Sequence, residues 1–254
     1  MKTTRRLEES SRVQLSSATD PFSSDEFASK LRAIGDLSYH DKHRFHLLMN
    51  QGRLDRHQLQ GWIANRFYYQ TQIPIKDAAI LSNCPEREMR RVWIQRILDH
   101  DGTEGEEGGI EKWLRLGEAA GLTRANLLDG SRLLPGVRFA VDAYVNFCRT
   151  KPWIEAVASS LTELFAPTLM ARRIAAFEKH YPWVKQDGLR YFRSRLTQAP
   201  RDTDFAFHLV LERCLTREQQ ERALAALQFK CDLLWAMLDA IYLEYGSRKE
   251  PTKL

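Results

Sequence analysis

Helix breakers are scarce in this chain, and the patterns that build sheets are missing from it. Its 254 residues hold 13 glycines and 9 prolines, with no long Gly/Pro linker to divide them. Alternating β-branched runs are absent, which argues against a sheet-based architecture. No segment approaches the roughly 20 consecutive apolar residues that cross a bilayer. The four cysteines, Cys84, Cys148, Cys214 and Cys231, form no Cys-x-x-Cys pair, so neither a structural zinc site nor a redox dithiol is signalled. Thiols scattered through helix-like sequence suit a reducing compartment. The leading MKTTRRLEESSR mixes charge signs and runs into no apolar stretch, unlike a secretory signal. The expectation is a soluble cytoplasmic protein. A strong charge excess is lacking too: 38 Lys+Arg against 33 Asp+Glu leave +5. Nucleic-acid binders concentrate cations in a stripe. Only RRVWIQR and the tail SRKEPTK come near one, and both are short. Neither nucleic acid nor membrane is expected as a partner. The excess is read as local, with cations lining an internal site for an acidic small molecule.

What is present is helical periodicity on a chain that is 43% apolar, enough for a sizeable core. Residues 1–22 are polar and Ser/Thr-rich and are read as a flexible N-terminal tail. Residues 23–250 are read as a single all-α catalytic domain. SSDEFASKLRAIG opens it, with Ser24 as the expected cap and Gly35 as the expected stop. Periodicity follows in LDRHQLQGWIANRFYYQ, EREMRRVWIQRILDH, GIEKWLRLGEAAG and VRFAVDAYVNFC. It continues through IEAVASSLTELFAPTLMARRIAAF, LRYFRSRLTQ and TREQQERALAALQFKCDLLWAMLDAIYLEY. In the last, Thr216 and Gln219 have capping-box spacing, and apolar residues cover much of the circumference, as on a central helix. The Gly-rich DGTEGEEGGIEKW is read as a loop between helices. It has five acids, no preceding strand and no following Lys-Ser/Thr, so it is not a phosphate loop.

Three pairs place polar groups on apolar helices: Arg66 with Gln70, Arg96 with His100, and Tyr191 with Arg195. Spacing of four puts each pair on one face, among aromatics such as Phe67, Tyr68, Tyr69, Trp93 and Phe192. Buried, such cations need carboxylates or an anionic ligand, and Arg suits a bidentate grip on a carboxylate. From spacing alone, ordinary amphipathic faces with Arg in water remain the plainer reading. Tyr39, His40, His43 and His46 form a Tyr-His-x-x-His-x-x-His run, but His40 and His46 would be rotated well apart on one helix. Asp204 and His208 could share a face, while His57 and His180 read as packing or surface residues. No Glu-x-x-His pair of the di-iron type occurs, and no metal is expected.

GWIANRFYYQTQIPIKDAAI, RILDHDG with EEGGIEKWLRLGEA, LPGVRFAVDAYVNF, SSLTELFAP and YFRSRLTQA together resemble the pyrroloquinoline-quinone (PQQ) synthase family, from about residue 25 to 245. The resemblance implies a heme-oxygenase-like helical bundle and a homodimer. It implies the last step of PQQ biosynthesis: ring closure and multi-electron oxidation of a quinone precursor by O2, with release of H2O2. Neither a metal nor a redox cofactor is implied; O2 is the co-substrate, PQQ the product, and other PQQ-biosynthesis proteins are implied partners. By the same resemblance Tyr39, His40, Arg66, Gln70, Lys76, Arg96, Tyr144, Thr162, Arg173 and Lys230 would bind the polyanionic ring system. His100 would be an acid/base residue, and Tyr191 and Arg195 would form the dioxygen and peroxide site. The sequence departs at Met170, where well-known members have a His. Two alternatives stay open: a di-iron oxygenase on the same fold, or a non-catalytic quinone-binding or carrier protein.

Overall fold

The computed structural model describes residues 19–246. Residues 1–18 of the expected tail, residues 247–250 of the expected domain and the basic SRKEPTK stretch lie outside the described residues. Phe22 is tied to the C-terminal helix: its N–H donates to Gln220 Oε1 at 2.8 Å and its carbonyl accepts from Gln220 Nε2 at 3.1 Å.

The chain is an all-α bundle. Its helices are α1 (Ser24–Ser38), α2 (Arg44–Asn50), α3 (Arg56–Asn83), α4 (Arg87–Asp101), α5 (Gly109–Ala119), α6 (Arg124–Leu128), α7 (Pro135–Thr150), α8 (Trp153–Ser159), α9 (Ala166–His180), α10 (Arg190–Arg213) and α11 (Arg217–Ile241). The two longest, α3 and α11, each begin with a complete capping box, Asp55 with Gln58 and Thr216 with Gln219. Each satisfies two otherwise orphaned backbone donors reciprocally. Both bury residues around most of their circumference, which places them centrally. Helix α3 packs on α4, α5 and α7; α11 packs on α1, α7 and α8. Pro74 lies inside α3, where it removes the hydrogen bond to the Gln70 carbonyl one turn earlier.

Four local expectations are corrected. Ser23, not Ser24, caps α1: its Oγ accepts from the Glu26 N–H at 3.2 Å. Gly35 does not end that helix, which runs on to Ser38. The Phe165 ring occupies the space beside it, so that a Cβ there would lie 1.8 Å from Phe165 Cζ. The segment 154–177 is not continuous. It divides into α8, a 3-10 turn over Ser160–Phe165, and α9. Pro167 explains the break, because its ring would clash with the carbonyl of Glu163 in an unbroken helix. The histidine run is not one helix either. His40–Lys42 form a 3-10 turn, and extended His43 then caps α2 through its own Nδ1, which accepts from the Phe45 N–H at 3.1 Å. That break brings the His40 and His46 rings to 4.9 Å between centroids. The Gly-rich connection after α4 is a loop pinned by a two-residue antiparallel ribbon, β1 (Gly102–Thr103) against β2 (Glu106–Glu107). Gly102 turns it at φ +89°, a left-handed conformation that glycine adopts without a Cβ penalty.

Candidate active site

A cavity of about 60 Å3 lies inside the bundle. Its walls come from α3, α4, α7, α9, α10, α11, the Ser160–Phe165 turn and the turn at His40. Eleven of the thirteen residues singled out from sequence line it: Tyr39, His40, Arg66, Lys76, His100, Tyr144, Thr162, Arg173, Tyr191, Arg195 and Lys230. The reading that leaves these guanidiniums in water is overturned, since Arg96, Arg173 and Arg195 are 3%, 3% and 5% exposed. Arg66 is half-buried. The free space holds roughly four water molecules, too little for a fused-ring ligand unless side chains move aside.

The other two stand one layer back. Gln70 accepts from the Tyr191 hydroxyl at 2.9 Å, which fixes that phenol from across the bundle. Arg96 grips Glu163 with both Nη atoms, at 2.9 and 2.7 Å, and reaches Asp77 at 3.4 Å and Asp202 at 3.2 Å. Glu163 also meets Arg195 at 3.3 Å, and Lys76 meets Asp77 at 2.6 Å. Three cations and three carboxylates thus form one buried network. Burial alone would raise the Glu163 carboxyl; Arg96 and Arg195 overcome it and hold the group well below the usual carboxylate range.

Across the cavity the cations are differently placed. Among the described residues, Arg66, Arg173 and Lys230 form no ion pair with a carboxylate. Arg66 lies over the Tyr69 ring at 3.7 Å and reaches Met237 Sδ at 3.8 Å. Lys230 donates to Tyr69 Oη at 2.6 Å and sits 3.3 Å above the Tyr144 ring centroid. Arg173 meets His46 Nε2 at 3.1 Å. Burial first, then repulsion from Lys76 and Arg66, pushes the Lys230 amine well below its ordinary value. Burial and Arg66 bring Arg173 down to about 10.

His100 is buried against the second layer. Its Nδ1 lies 3.0 Å from the Arg96 carbonyl; a carbonyl only accepts, so the proton is on Nδ1 and Nε2 carries the lone pair. Burial, then Arg195, lowers its pKa to about 4.

Comparison with known proteins decides what this cavity is related to. The sequence matches the TENA/THI-4/PQQC family over residues 28–240. The chain belongs to that family. Among its curated relatives, the pyrroloquinoline-quinone synthase of Cronobacter sakazakii is 58% identical over 227 residues, covering 89% of this chain and 90% of the relative. That of Klebsiella pneumoniae is 55% identical over 233 residues, covering 92% of each. That of Pseudomonas aeruginosa is 58% identical over 226 residues, covering 89% of this chain and 90% of the relative. A domain with a heme oxygenase-like fold from Shewanella denitrificans superposes with a TM-score of 0.68 at 13% identity, covering 87% of this chain and 91% of that one. A TenA homolog from Pseudomonas syringae gives 0.67 at 12%, covering 87% and 96%. At such identities these two establish the fold: a heme-oxygenase-like bundle.

Within this family member, several cavity residues escaped the sequence reading: Tyr69, Ser160 and Glu163, with Asp77 and Asp202 behind them. Tyr69 was within reach, being three residues after Arg66 and so on its face. Ser160, which accepts from Lys76 Nζ at 3.1 Å, and Glu163 sit in a 3-10 turn whose direction helical periodicity cannot supply. Met170 lines the cavity. His57 lies 5.3 Å from the Tyr245 ring, and His208 Nδ1 meets the Asp204 carbonyl rather than its carboxylate. Among the described residues, no group of three His, Cys, Asp or Glu could share a metal ion, and no helix is long and apolar enough to cross a membrane.

Proposed function

We propose that this chain is a pyrroloquinoline-quinone synthase that closes and oxidises the quinone precursor with O2, releasing H2O2 without a metal or a redox cofactor. One observation carries the reading: three cations line an internal cavity without a carboxylate partner, in a chain 55–58% identical to proteins of that name. A buried cation without a counter-charge is costly; a ligand with several carboxylates supplies the missing charge. Arg66, Arg173 and Lys230 are the capture set, and Tyr39, His40, Tyr144 and Thr162 supply further polar contacts.

The chemistry asks little of the protein beyond position and protons. A reduced ring can pass electrons to O2 directly. Each two-electron oxidation then delivers two electrons and two protons to one O2, giving one H2O2. His100 Nε2 faces the cavity as the proton acceptor. It is a weak base in the empty site; an anionic ligand offsets Arg195 and raises its pKa toward neutrality. Arg195 and Tyr191 offer positive charge and a hydroxyl donor to reduced oxygen species. The same reading has the chain act as a cytoplasmic homodimer, which light scattering on the purified protein tests.

Anaerobic loading with the ring-open precursor, followed by air, tests the function. The expected outcome is the absorbance of PQQ, with H2O2 formed in proportion. Binding without conversion would make the chain a carrier. Turnover that requires stoichiometric iron would overturn the cofactor-free part.

A further inference from the structure

We propose that His46 is a positioning residue: a neutral imidazole that aims the Arg173 guanidinium at the ligand without cancelling its charge. This rests on the capture role given to Arg173 above.

His46 is 2% exposed and lies behind the cavity wall on α2, 127 residues from Arg173. Its Nδ1 is 3.0 Å from the His40 carbonyl. The carbonyl can only accept, so Nδ1 carries the proton and Nε2 carries the lone pair. That lone pair meets Arg173 Nη2 at 3.1 Å. A guanidinium can only donate, so the chain has one self-consistent sense: Arg173 to His46, and His46 to the His40 carbonyl. His40 and Arg173 both line the cavity, and one buried ring therefore fixes two parts of its wall. Among the described residues this is the only hydrogen bond found for the Arg173 guanidinium, whose Nε is buried without a partner. Otherwise Arg173 rests on ring faces, 4.9 Å from Trp62 and 5.5 Å from Phe192.

The chemical choice at this position is informative. Arg195, on the other side of the cavity, is held by a carboxylate, Glu163. A carboxylate at His46 would orient Arg173 equally well and ease its burial, but it would also neutralise the charge that an anionic ligand needs. Imidazole, like the Tyr69 hydroxyl at Lys230, orients and leaves the charge intact. Burial, then Arg173 itself, lowers the His46 pKa and keeps the ring neutral.

The test measures equilibrium binding of PQQ to the full chain, with the thermal midpoint of each variant recorded alongside. His46→Leu and His46→Asn are expected to weaken binding by about tenfold or more. His46→Gln, whose Oε1 can reach the place of Nε2, is expected to restore it to within about threefold. His46→Glu is expected to bind PQQ less well than wild type while melting no lower. In an Arg173→Met background the His46 changes are expected to add less than about twofold. Wild-type binding left intact by His46→Asn and His46→Glu would overturn the inference, as would losses that persist undiminished in the Arg173→Met background. If His46→Leu does not fold, the Asn, Gln and Glu set decides alone. Failure of the wild type to bind PQQ would instead overturn the functional reading, and this inference with it.

Discussion

Two sides of the cavity hold equal numbers of cations, counting Arg96 one layer back, and differ in what faces them. On one, Lys76, Arg96 and Arg195 meet Asp77, Glu163 and Asp202. On the other, Arg66, Arg173 and Lys230 meet a ring face and a thioether, an imidazole, and a phenol. The first wall is charge-balanced and has every reason to exist in the empty protein. The second is unbalanced, and its cations are oriented by groups that carry no charge. The difference separates scaffold from capture. The paired wall fixes the shape of the chamber and the direction of Arg195, and the unpaired wall is the one proposed to take the anion.

The two walls are therefore expected to respond in opposite ways to losing a cation. Arg96→Met removes the cation that Glu163, Asp77 and Asp202 share and leaves Arg195, Lys76 and Arg201 as their remaining partners. Breaking a buried pair by removing one partner costs about 3–5 kcal/mol, which for a chain of this size lowers the melting temperature by roughly 10 °C. Calorimetry or a thermal melt checks it. A drop of only a degree or two would mean the network contributes nothing to the scaffold.

Acid attacks the same wall. His100 titrates near 6.5 when unfolded and at about 4 in the native protein. Between those values the unfolded chain binds more protons, so native stability falls as pH drops from about 6.5 toward 4, by about 3 kcal/mol at the lower end. His40 and His46 are shifted downward as well, chiefly by burial, and add to the loss in the same direction. Glu163, held low by its guanidiniums against its burial, extends the loss to lower pH still. Denaturant midpoints across this range check the sign. A ligand that offsets Arg195 reverses the His100 shift, so PQQ binding near neutral pH is expected to take up protons; titration calorimetry in two buffers of different ionisation enthalpy reads this directly.

How the walls divide was only partly legible beforehand. Spacing of four marked Arg66, Arg96, Arg195 and their neighbours as groups on helical faces, and family resemblance named the others. The carboxylate partners were not visible. Glu163 reaches Arg96 across 67 positions of sequence, from a turn where the helical period fails. Local rules failed wherever a distant contact intervened. Gly35 looked like a helix stop and instead admits the Phe165 ring. The histidine run looked like one helix, but His43 breaks it and so folds His46 against His40. The capping box at Thr216 acts within four residues, which is why the start of α11 was easier to read than the contents of the chamber beside it.

On the unpaired wall, Arg173→Met removes a buried charge that no carboxylate balances. The expected melting temperature is within about 2 °C of wild type or higher. PQQ binding is expected to weaken by about ten- to a hundredfold, the value of hydrogen bonds to a charged group. A large loss of stability with unchanged affinity would move Arg173 to the scaffold and erase the contrast.

The smallest effect is expected where the walls meet. Tyr191 donates to Gln70 Oε1 at 2.9 Å while packing edge-on against Trp113 at 4.9 Å. Tyr191→Phe keeps the ring and loses one neutral hydrogen bond, worth about 1 kcal/mol. The hydroxyl is already engaged by Gln70 in the empty cavity, so it contributes little to the first grip on an anion. PQQ affinity is therefore expected to change by less than about fivefold, with the deficit appearing in the rate of oxidation after air is admitted. A loss in affinity as large as that of Arg173→Met would place Tyr191 on the capture wall, and Gln70 would then be its positioning partner in the way His46 is for Arg173.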